Sequence, residues 1–235
     1  MWQRSLRVKI VIIAALFIGA AVINLVAPKQ HLPWRALDPA APLGWGTKAQ
    51  FMRLSLSPSS VCMDMASSLE TLRSAKAKPH RPNKTCGWTI ARDVSAAHDI
   101  NLAPDAAQMQ CPLSIGTALW MREVQALSRQ YFGQDMVKIH HFGTYSCRRQ
   151  NGNNSGQWSE HAFANAWDIS GFHLRGEGLI SIEKDWDGKD ETRRKFLRAA
   201  RDKACKIFKV TLSPDFNAAH HDHFHFDMGP SSSCR

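Results

Sequence analysis

An uncharged, apolar run near the N-terminus constrains this chain more than any other feature. Residues 10–27 carry no charged side chain, and Arg4, Arg7 and Lys9 precede them. About 18 such residues are just long enough to cross a bilayer as a helix, and a basic flank is typical of the cytoplasmic side. We therefore predict a single-pass transmembrane anchor over residues 10–27, with residues 1–9 in the cytoplasm and the rest of the chain outside it.

A cleavable signal peptide is the alternative interpretation of this run. Its apolar core has a suitable length, but no small-x-small cleavage site such as Ala-x-Ala stands out at its end. A buried core helix is disfavoured because the run is apolar on every side of a helix. The uncleaved anchor is the preferred interpretation.

Beyond the anchor, the sequence predicts a linker and one folded domain. Residues 28–58 are rich in proline and alanine and have little periodicity, which is typical of a linker. The folded domain is predicted over residues 59–235. Its longest helix begins near Pro112, because apolar residues follow at steps of three and four as far as Tyr131.

A second helix is predicted over residues 191–208, where apolar side chains share one side and basic side chains occupy the others. Strands are predicted over 137–142, 166–172, 179–182 and 223–228. Because the helices interrupt the strands without a regular β-α-β alternation, we expect an α+β domain with a mainly antiparallel sheet flanked by helices.

All six cysteines lie beyond the apolar run, in a compartment where disulfides persist. They are Cys62, Cys86, Cys111, Cys147, Cys205 and Cys234. The spacing contains no CxxC pair of the kind found in zinc ribbons and thioredoxin-like proteins. Three structural disulfides are therefore predicted, with the pairing left open.

The net charge of the chain is strongly positive. It is +10, and about seven positive charges remain when the N-terminal flank is set aside. A basic exported domain suits a polyanionic surface such as a bacterial envelope, and a charge that serves only solubility is the alternative. No long basic run with interleaved aromatic residues is present, so nucleic acid is not an expected partner.

The octapeptide HHDHFHFD, residues 220–227, is rich in potential metal ligands. Alternate residues of a strand share a face. This places His223, His225 and Asp227 on one side, opposite Phe224, Phe226 and Met228. Two imidazoles on one face can both bind a metal, or one can bind it while the other assists its water. A solvated polar strand is the alternative.

A second stretch, SEHAFANAWDIS, places His161 seven residues before Asp168. Asp168 stands in an apolar strand, where an unpaired carboxylate is costly unless a cation or hydrogen bonds compensate it. A buried aspartate that caps a turn or pairs with an arginine is the alternative. Together with His223 or His225, these residues make the three-ligand set that leaves zinc an open position for water. An imidazole-rich site also accepts copper or nickel.

These stretches resemble motifs of known zinc peptidases. SEHAFANAWDI is similar to SxHxxGxAxD, and HFH to HxH, of the LAS-type group that includes lysostaphin, D-Ala-D-Ala metallopeptidases and the sonic hedgehog amino-terminal domain. More closely, residues 58–235 resemble the bacterial extensin-like C-terminal family, in which YSCR, SEHAFANAWDISGF and HHDHFHFDMG occur in this order. The resemblance implies a LAS-type fold and one zinc ion per domain.

The resemblance also implies roles for single residues. His161, Asp168 and His225 would bind zinc, and His223 would act as a base or transition-state stabiliser. Such peptidases place an arginine upstream of the first motif to polarise the substrate carbonyl. Arg148 is the candidate here, and an ordinary surface arginine is the alternative.

The resemblance to LAS-type peptidases implies roles for two further residues, and the sequence departs from the motifs of that group in two places. Ser159 matches the motif serine, which hydrogen-bonds near the site and is not expected to be a nucleophile. His220 resembles an additional histidine near the metal in murein endopeptidases. Ala164 stands where the motif has glycine. No clear Glu-x-x-His supplies the third ligand, which makes the HxH branch of murein endopeptidases the nearer model.

Taken together, the sequence predicts a zinc-dependent hydrolase anchored in the bacterial inner membrane, with its domain in the periplasm. Its substrate would be an amide bond in peptidoglycan stem peptides or cross-links, so peptidoglycan and the inner membrane are the expected partners. A non-catalytic wall-binding or interaction domain that keeps zinc for structure is the alternative. Loss of His223 or Arg148 distinguishes the two, since only the enzyme needs them.

Overall fold

The computed structural model describes residues 2–235, so the first residue of the predicted cytoplasmic segment lies outside the described residues. The helices in that range are α1 (Trp2–Val26), α2 (Thr47–Leu56), α3 (Ser59–Ser68), α4 (Cys111–Phe132), α5 (Ile182–Asp185) and α6 (Glu191–Ala204). The strands are β1 (Leu72–Lys76), β2 (Arg92–Ala97), β3 (Ile100–Ala103), β4 (Ala107–Met109), β5 (Met136–Gly143), β6 (Ala166–Leu174), β7 (Gly178–Ser181), β8 (Val210–Leu212), β9 (Phe224–Asp227) and β10 (Ser233–Cys234).

Helix α1 contains the apolar run. Residues Val8–Val26 are long and apolar enough to cross a membrane, and none of them is buried in the protein. Such a helix serves equally as a membrane anchor or as a signal sequence. Tertiary packing inside the protein therefore does not account for its apolar surface.

The predicted linker over residues 28–58 is partly folded onto the domain, which corrects that prediction. Helix α2 forms within it, and Phe51 is fully buried in the main core. The buried amide of Gln50 donates hydrogen bonds of 2.9 Å each to the backbone carbonyls of Lys29 and Leu32. Because α2 has only ten residues, its apolar face is too short to stand out among the surrounding prolines and alanines.

The sheet is mixed, which corrects the expectation of a mainly antiparallel one. Its strand order is β1-β2-β3-β5-β6-β9-β8-β10, with β4 beside β2 and β7 beside β6. Strand β5 runs parallel to β3, and β10 runs parallel to β8. The first parallel pair arises because α4 carries the chain across the sheet between β4 and β5, as parallel neighbours require. The short strands β1 to β4 were not predicted.

Helices α4 and α6 were both predicted. Helix α4 begins at Cys111 with Pro112 in its first turn and ends at Phe132, where Gly133 caps it in the left-handed conformation that favours glycine. Helix α6 ends at Ala204, four residues before the predicted end. Both helices bury their apolar sides in the main core, where the Trp120 indole donates to the Ala200 carbonyl at 2.9 Å.

The two central strands, β6 and β9, have one face in the core and one face toward a cleft. On β9, Phe224 and Phe226 are fully buried in the main core, which confirms the predicted alternation. On β6, Trp167 and Ile169 are buried on either side of Asp168. Side chains at alternate positions therefore reach the outer face of the sheet, where the candidate site lies.

All six cysteines are paired, which confirms the prediction of three disulfides. Cys62–Cys111 links α3 to α4, Cys86–Cys147 links two loops beside the cleft, and Cys205–Cys234 links the end of α6 to β10. The pairing depends on tertiary proximity, so the spacing alone could not have provided it.

Candidate metal centre

Three predicted ligands converge on the outer face of the sheet. Asp168 on β6 lies directly opposite His225 on β9 in the antiparallel register. His161 belongs to a short 3-10 turn, Glu160–Phe163, that immediately precedes β6. The turn folds the histidine back over the strand, and one ligand atom from each of the three residues lies within 4.8 Å of the other two.

The ligand atoms face one another at close range. Nε2 of His161 is 3.1 Å from Oδ2 of Asp168 and 3.2 Å from Nδ1 of His225. The same Nδ1 is 2.9 Å from Oδ1 of Asp168. The three side chains are 4%, 14% and 13% exposed, in the order His161, Asp168, His225. Bulk water therefore reaches the cluster only from the cleft.

The outward-facing nitrogen of each histidine is held by a second hydrogen bond. His161 Nδ1 donates to the Thr144 carbonyl at 3.2 Å, and His225 Nε2 donates to Asp227 Oδ2 at 3.0 Å. The other oxygen of Asp227 accepts from the Gly229 amide at 2.8 Å. These bonds select one tautomer for each imidazole and leave its second nitrogen free to bind a metal.

The arrangement fits a tetrahedral zinc ion. Ligand atoms about 2.1 Å from zinc are separated from one another by roughly 3.4 Å in tetrahedral geometry. In this structure the two ligand nitrogens are 3.2 Å apart, and each lies 2.9 to 3.1 Å from a different oxygen of Asp168. Two imidazole nitrogens and one carboxylate oxygen also form a donor set that zinc accepts, with a fourth position left open.

The electrostatics show how strongly the three groups interact. Burial alone would raise the pKa of Asp168, but hydrogen bonds from His161 and His225 outweigh it and hold that pKa well below its usual range. Burial disfavours charge on His225, but the carboxylates of Asp168 and Asp227 outweigh it and raise its pKa to about 9. The positively charged form of His225 is therefore favoured between the carboxylates of Asp168 and Asp227.

His223 lies beside the three ligands. Its Nε2 is 3.7 Å from Oδ1 of Asp168, and its Nδ1 donates to Oδ1 of Asp222 at 2.7 Å. The imidazole of His220 lies 5.1 Å from that of His223, between ring centroids. Burial, followed by the charge of His223, lowers the pKa of His220 to about 4. His220 is therefore neutral at pH 7.

Arg148 and Ser159 hold different positions. The exposed Arg148 lines the same cleft of about 1070 Å³ as the three ligands, although it does not join their cluster. Ser159 is buried and precedes the 3-10 turn, where its hydroxyl accepts from the His161 amide at 3.3 Å. Ser159 thus holds the backbone of His161 in the turn.

The alanine that replaces the motif glycine has an unusual backbone conformation. Ala164 has φ 53° and ψ 35°, in the left-handed region, and is fully buried. Glycine adopts this conformation without the penalty that a Cβ atom brings. Ala164 ends the turn that carries His161, in a conformation that glycine at this position of the motif would adopt without strain.

Two acidic residues of the site were not assigned a role from the sequence. Asp227 holds His225, and its position two residues later on the same strand face could have indicated this contact. Asp222 holds His223 from the adjacent position, just before β9 begins. Adjacent strand residues point to opposite faces, so no spacing rule predicts that pair.

The fold is an α+β domain with a mixed sheet, and its site brings two histidines and one aspartate close enough to hold a metal ion. The chain belongs to the family described as extensin-like protein C-terminus, whose model matches residues 60–235. No curated protein and no solved structure matched the chain.

Proposed function

We propose that this protein is a zinc-dependent hydrolase that cuts an amide bond in peptidoglycan stem peptides or cross-links. In this proposal, α1 anchors it in the bacterial inner membrane and the domain lies in the periplasm. The proposal depends chiefly on the convergence of His161, Asp168 and His225 in one cleft. The similarity of these motifs to LAS-type peptidases supports the choice of reaction, and the three disulfides suit an exported domain.

The metal would be held by Nε2 of His161, Nδ1 of His225 and a carboxylate oxygen of Asp168. When bound, zinc supplies a Lewis acid and lowers the pKa of a water molecule toward neutrality. The carbonyl of Thr144 and the carboxylate of Asp227 keep both imidazoles in the tautomer that binding needs. Loss of either contact would cost affinity without removing a ligand.

His223 is the proposed general base. Its Nδ1–H donates to Asp222, and in the neutral tautomer that this bond selects, its Nε2 offers a lone pair on the Asp168 side of the cleft. A nitrogen in that position can accept a proton from an attacking water. The Asp222 carboxylate would also stabilise the imidazolium that forms, as a buried aspartate does in hydrolytic triads.

Arg148 is the proposed carbonyl-polarising group. Its guanidinium carries a permanent positive charge on the wall of the cleft. As the amide carbonyl is attacked, its oxygen gains negative charge, and a cation aimed at that oxygen lowers the barrier by several kcal/mol, about 3 in typical cases. His220, which is neutral at pH 7, can contribute a hydrogen bond to the same substrate.

Digestion of purified peptidoglycan by the full-length, zinc-loaded protein in detergent tests the proposal. We expect new soluble peptide fragments by mass spectrometry from the wild type and none from His225→Ala. Arg148→Ala should reduce their yield by about a hundredfold. Arg175→Ala, which removes an exposed arginine that does not line the cleft, is the matched control and should behave as the wild type.

Identical fragment profiles from the wild type and His225→Ala would exclude the hydrolase. Binding without release of fragments would instead identify a zinc-containing wall-binding domain.

A further inference from the structure

Two segments of the folded domain carry positive charges without any acidic residue. Residues 71–92 contain six lysines and arginines, residues 136–159 contain three, and neither segment contains an aspartate or glutamate. The whole chain has a net charge of +10. Together the two segments carry nine positive charges and no negative one, although they are far apart in the sequence.

The fold brings the two segments together beside the metal cleft. The Cys86–Cys147 disulfide joins them with 5.7 Å between the Cα atoms, and the Asn83 amide donates to Cys147 Sγ at 3.3 Å. The Gly87 amide donates to the Ala162 carbonyl at 2.8 Å, inside the turn that carries His161. The first segment is therefore fixed to the same loops that build the site.

His80, Trp88 and Tyr145 form a small aromatic cluster that links the two segments. Backbone hydrogen bonds of 2.9 and 2.7 Å pair His80 with Trp88 in antiparallel fashion. The ring of Tyr145, in the second segment, packs edge-on against both of these rings at 5.1 and 5.2 Å between centroids. The Trp88 indole donates to the Lys78 carbonyl at 3.0 Å. The cations of the loop therefore project from an ordered platform.

We propose that five of these cations form a binding site for anionic envelope polymers. This basic rim consists of Lys76, Lys78, Arg81, Lys84 and Arg148, all of them exposed. Within residues 2–235, none of the five has a carboxylate within 4.0 Å. The ligand chemistry is a flexible chain of spaced carboxylates or phosphates.

Helix α6 provides an internal comparison. It is also rich in basic residues, but most of them pair with carboxylates: Lys195 pairs with Glu191 at 2.7 Å and Lys203 with Glu123 at 2.8 Å. Arg198 pairs with an aspartate in the same way. Repulsion among unpaired like charges destabilises a compact state. The cations of the rim lack nearby carboxylates, unlike the paired cations of α6. A bound polyanion would offset the repulsion among the rim cations.

Arg148 connects the rim to the reaction site, since it lines the cleft that contains the metal ligands. A polymer held along the rim would therefore deliver its neighbouring bonds to the cleft. This inference rests on the proposed function for the identity of the polymer, because stem peptides carry free carboxylates. Phosphate-containing wall polymers share the same chemistry and are distinguished by experiment.

Co-sedimentation of the full-length protein in detergent with insoluble peptidoglycan tests the rim. The test variant carries Lys76→Gln, Lys78→Gln, Arg81→Gln and Lys84→Gln, and we expect it to bind at least about tenfold more weakly. Its affinity should also depend less on salt between about 50 and about 200 mM, because fewer counterions are displaced. The matched control carries Arg175→Gln, Lys184→Gln, Lys189→Gln and Lys206→Gln, four exposed cations that do not line the cleft. It loses the same charge and should bind as the wild type.

Chemically modified walls identify the anion. Amidation of the carboxyl groups should abolish binding if stem peptides are the ligand, whereas acid stripping of phosphate polymers should abolish it if those are. Equal losses in the rim variant and the control would overturn the proposal, as would binding that survives both modifications. A variant with Lys76→Arg, Lys78→Arg, Arg81→Lys and Lys84→Arg keeps the charge and should keep full binding.

The outcomes for the rim and for the hydrolase are separable. The rim variant should retain one zinc ion and should still cleave a short, soluble stem peptide under the proposed function. His225→Ala should lose zinc and turnover but still bind the wall. Loss of binding in His225→Ala with no loss in the rim variant would place the wall-binding site in the cleft and refute the rim.

Discussion

His225 and Asp227 lie two residues apart on one face of β9, and Nε2 of the histidine is 3.0 Å from Oδ2 of the aspartate. On its other side, Nδ1 of His225 is 2.9 Å from Oδ1 of Asp168. One imidazole thus lies between a carboxylate that would share the metal with it and a carboxylate that orients it. This chain of contacts makes the role of each acid testable.

Asp227→Asn should weaken zinc binding about tenfold to a hundredfold, because the neutral amide is a poorer acceptor for the Nε2–H of His225. Competition with a chromogenic zinc chelator measures the affinity. His161 and Asp168 remain as ligands in this variant, so metal binding should be weakened but not abolished. An affinity equal to that of the wild type would show that Asp227 does not tune the ligand.

Asp222→Asn should leave zinc affinity within about twofold of the wild type, since Asp222 contacts His223 and no ligand. Under the proposed function, kcat for a soluble stem peptide should fall by about a hundredfold, which is typical for the loss of an oriented general base. Asp227→Asn is the matched comparison, because it should lower zinc affinity, whereas Asp222→Asn should lower turnover and leave zinc affinity nearly unchanged. Unchanged turnover would remove His223 from the role of base.

Ala164 should tolerate glycine but not valine. Glycine relieves a left-handed penalty of about 1 kcal/mol and loses a buried methyl group of about 0.8 kcal/mol, so the free energy of unfolding should change little. Valine adds branching at a positive φ and bulk at a fully buried position, which should cost about 2 to 5 kcal/mol in total. Urea denaturation measures both. A stable valine variant would contradict the conformation of this turn.

His141 should make the protein less stable in mild acid. Burial lowers the pKa of this imidazole, although its Nε2 donates to the Asp105 carbonyl at 3.1 Å and this bond acts in the opposite direction. The unfolded chain binds a proton below about pH 6.5 where the folded chain does not. The stability contribution is therefore complete above that pH and declines as the pH falls toward the folded pKa, by at most about 1.4 kcal/mol per pH unit.

His141→Gln removes this titration and can keep a donor for the Asp105 carbonyl. Thermal unfolding from about pH 7 to about pH 5 should show the wild type losing stability relative to the variant. Comparison of the two proteins at each pH cancels the titration of the other groups. Parallel curves would mean that His141 takes up its proton equally in the folded and unfolded states.

Local patterns in the sequence were sufficient for several elements. The repeat of apolar residues after Pro112 predicted α4, and alternation in HHDHFHFD predicted which side chains of β9 enter the core. His161, Asp168 and His225, which the family resemblance implied as ligands, lie together in the structure, and their binding of a metal stays a prediction.

Other features depended on contacts between distant segments. Helix α2 is stable because Phe51 enters a core built mainly from later residues, so its short pattern resembled a linker. The parallel pairing of β3 with β5 depends on where α4 returns the chain to the sheet. The contact between Asp222 and His223 follows from the turn before β9.

By itself, the sequence determined the apolar helix, the number of disulfides and the two long helices, because these depend on residue type and local periodicity. The tertiary structure alone decided the disulfide pairing, the parallel strands and the folding of residues 47–56 onto the core. These features require residues far apart in the chain to meet. The chain pays the entropy of closing such loops only when the whole core forms, so no local pattern records them.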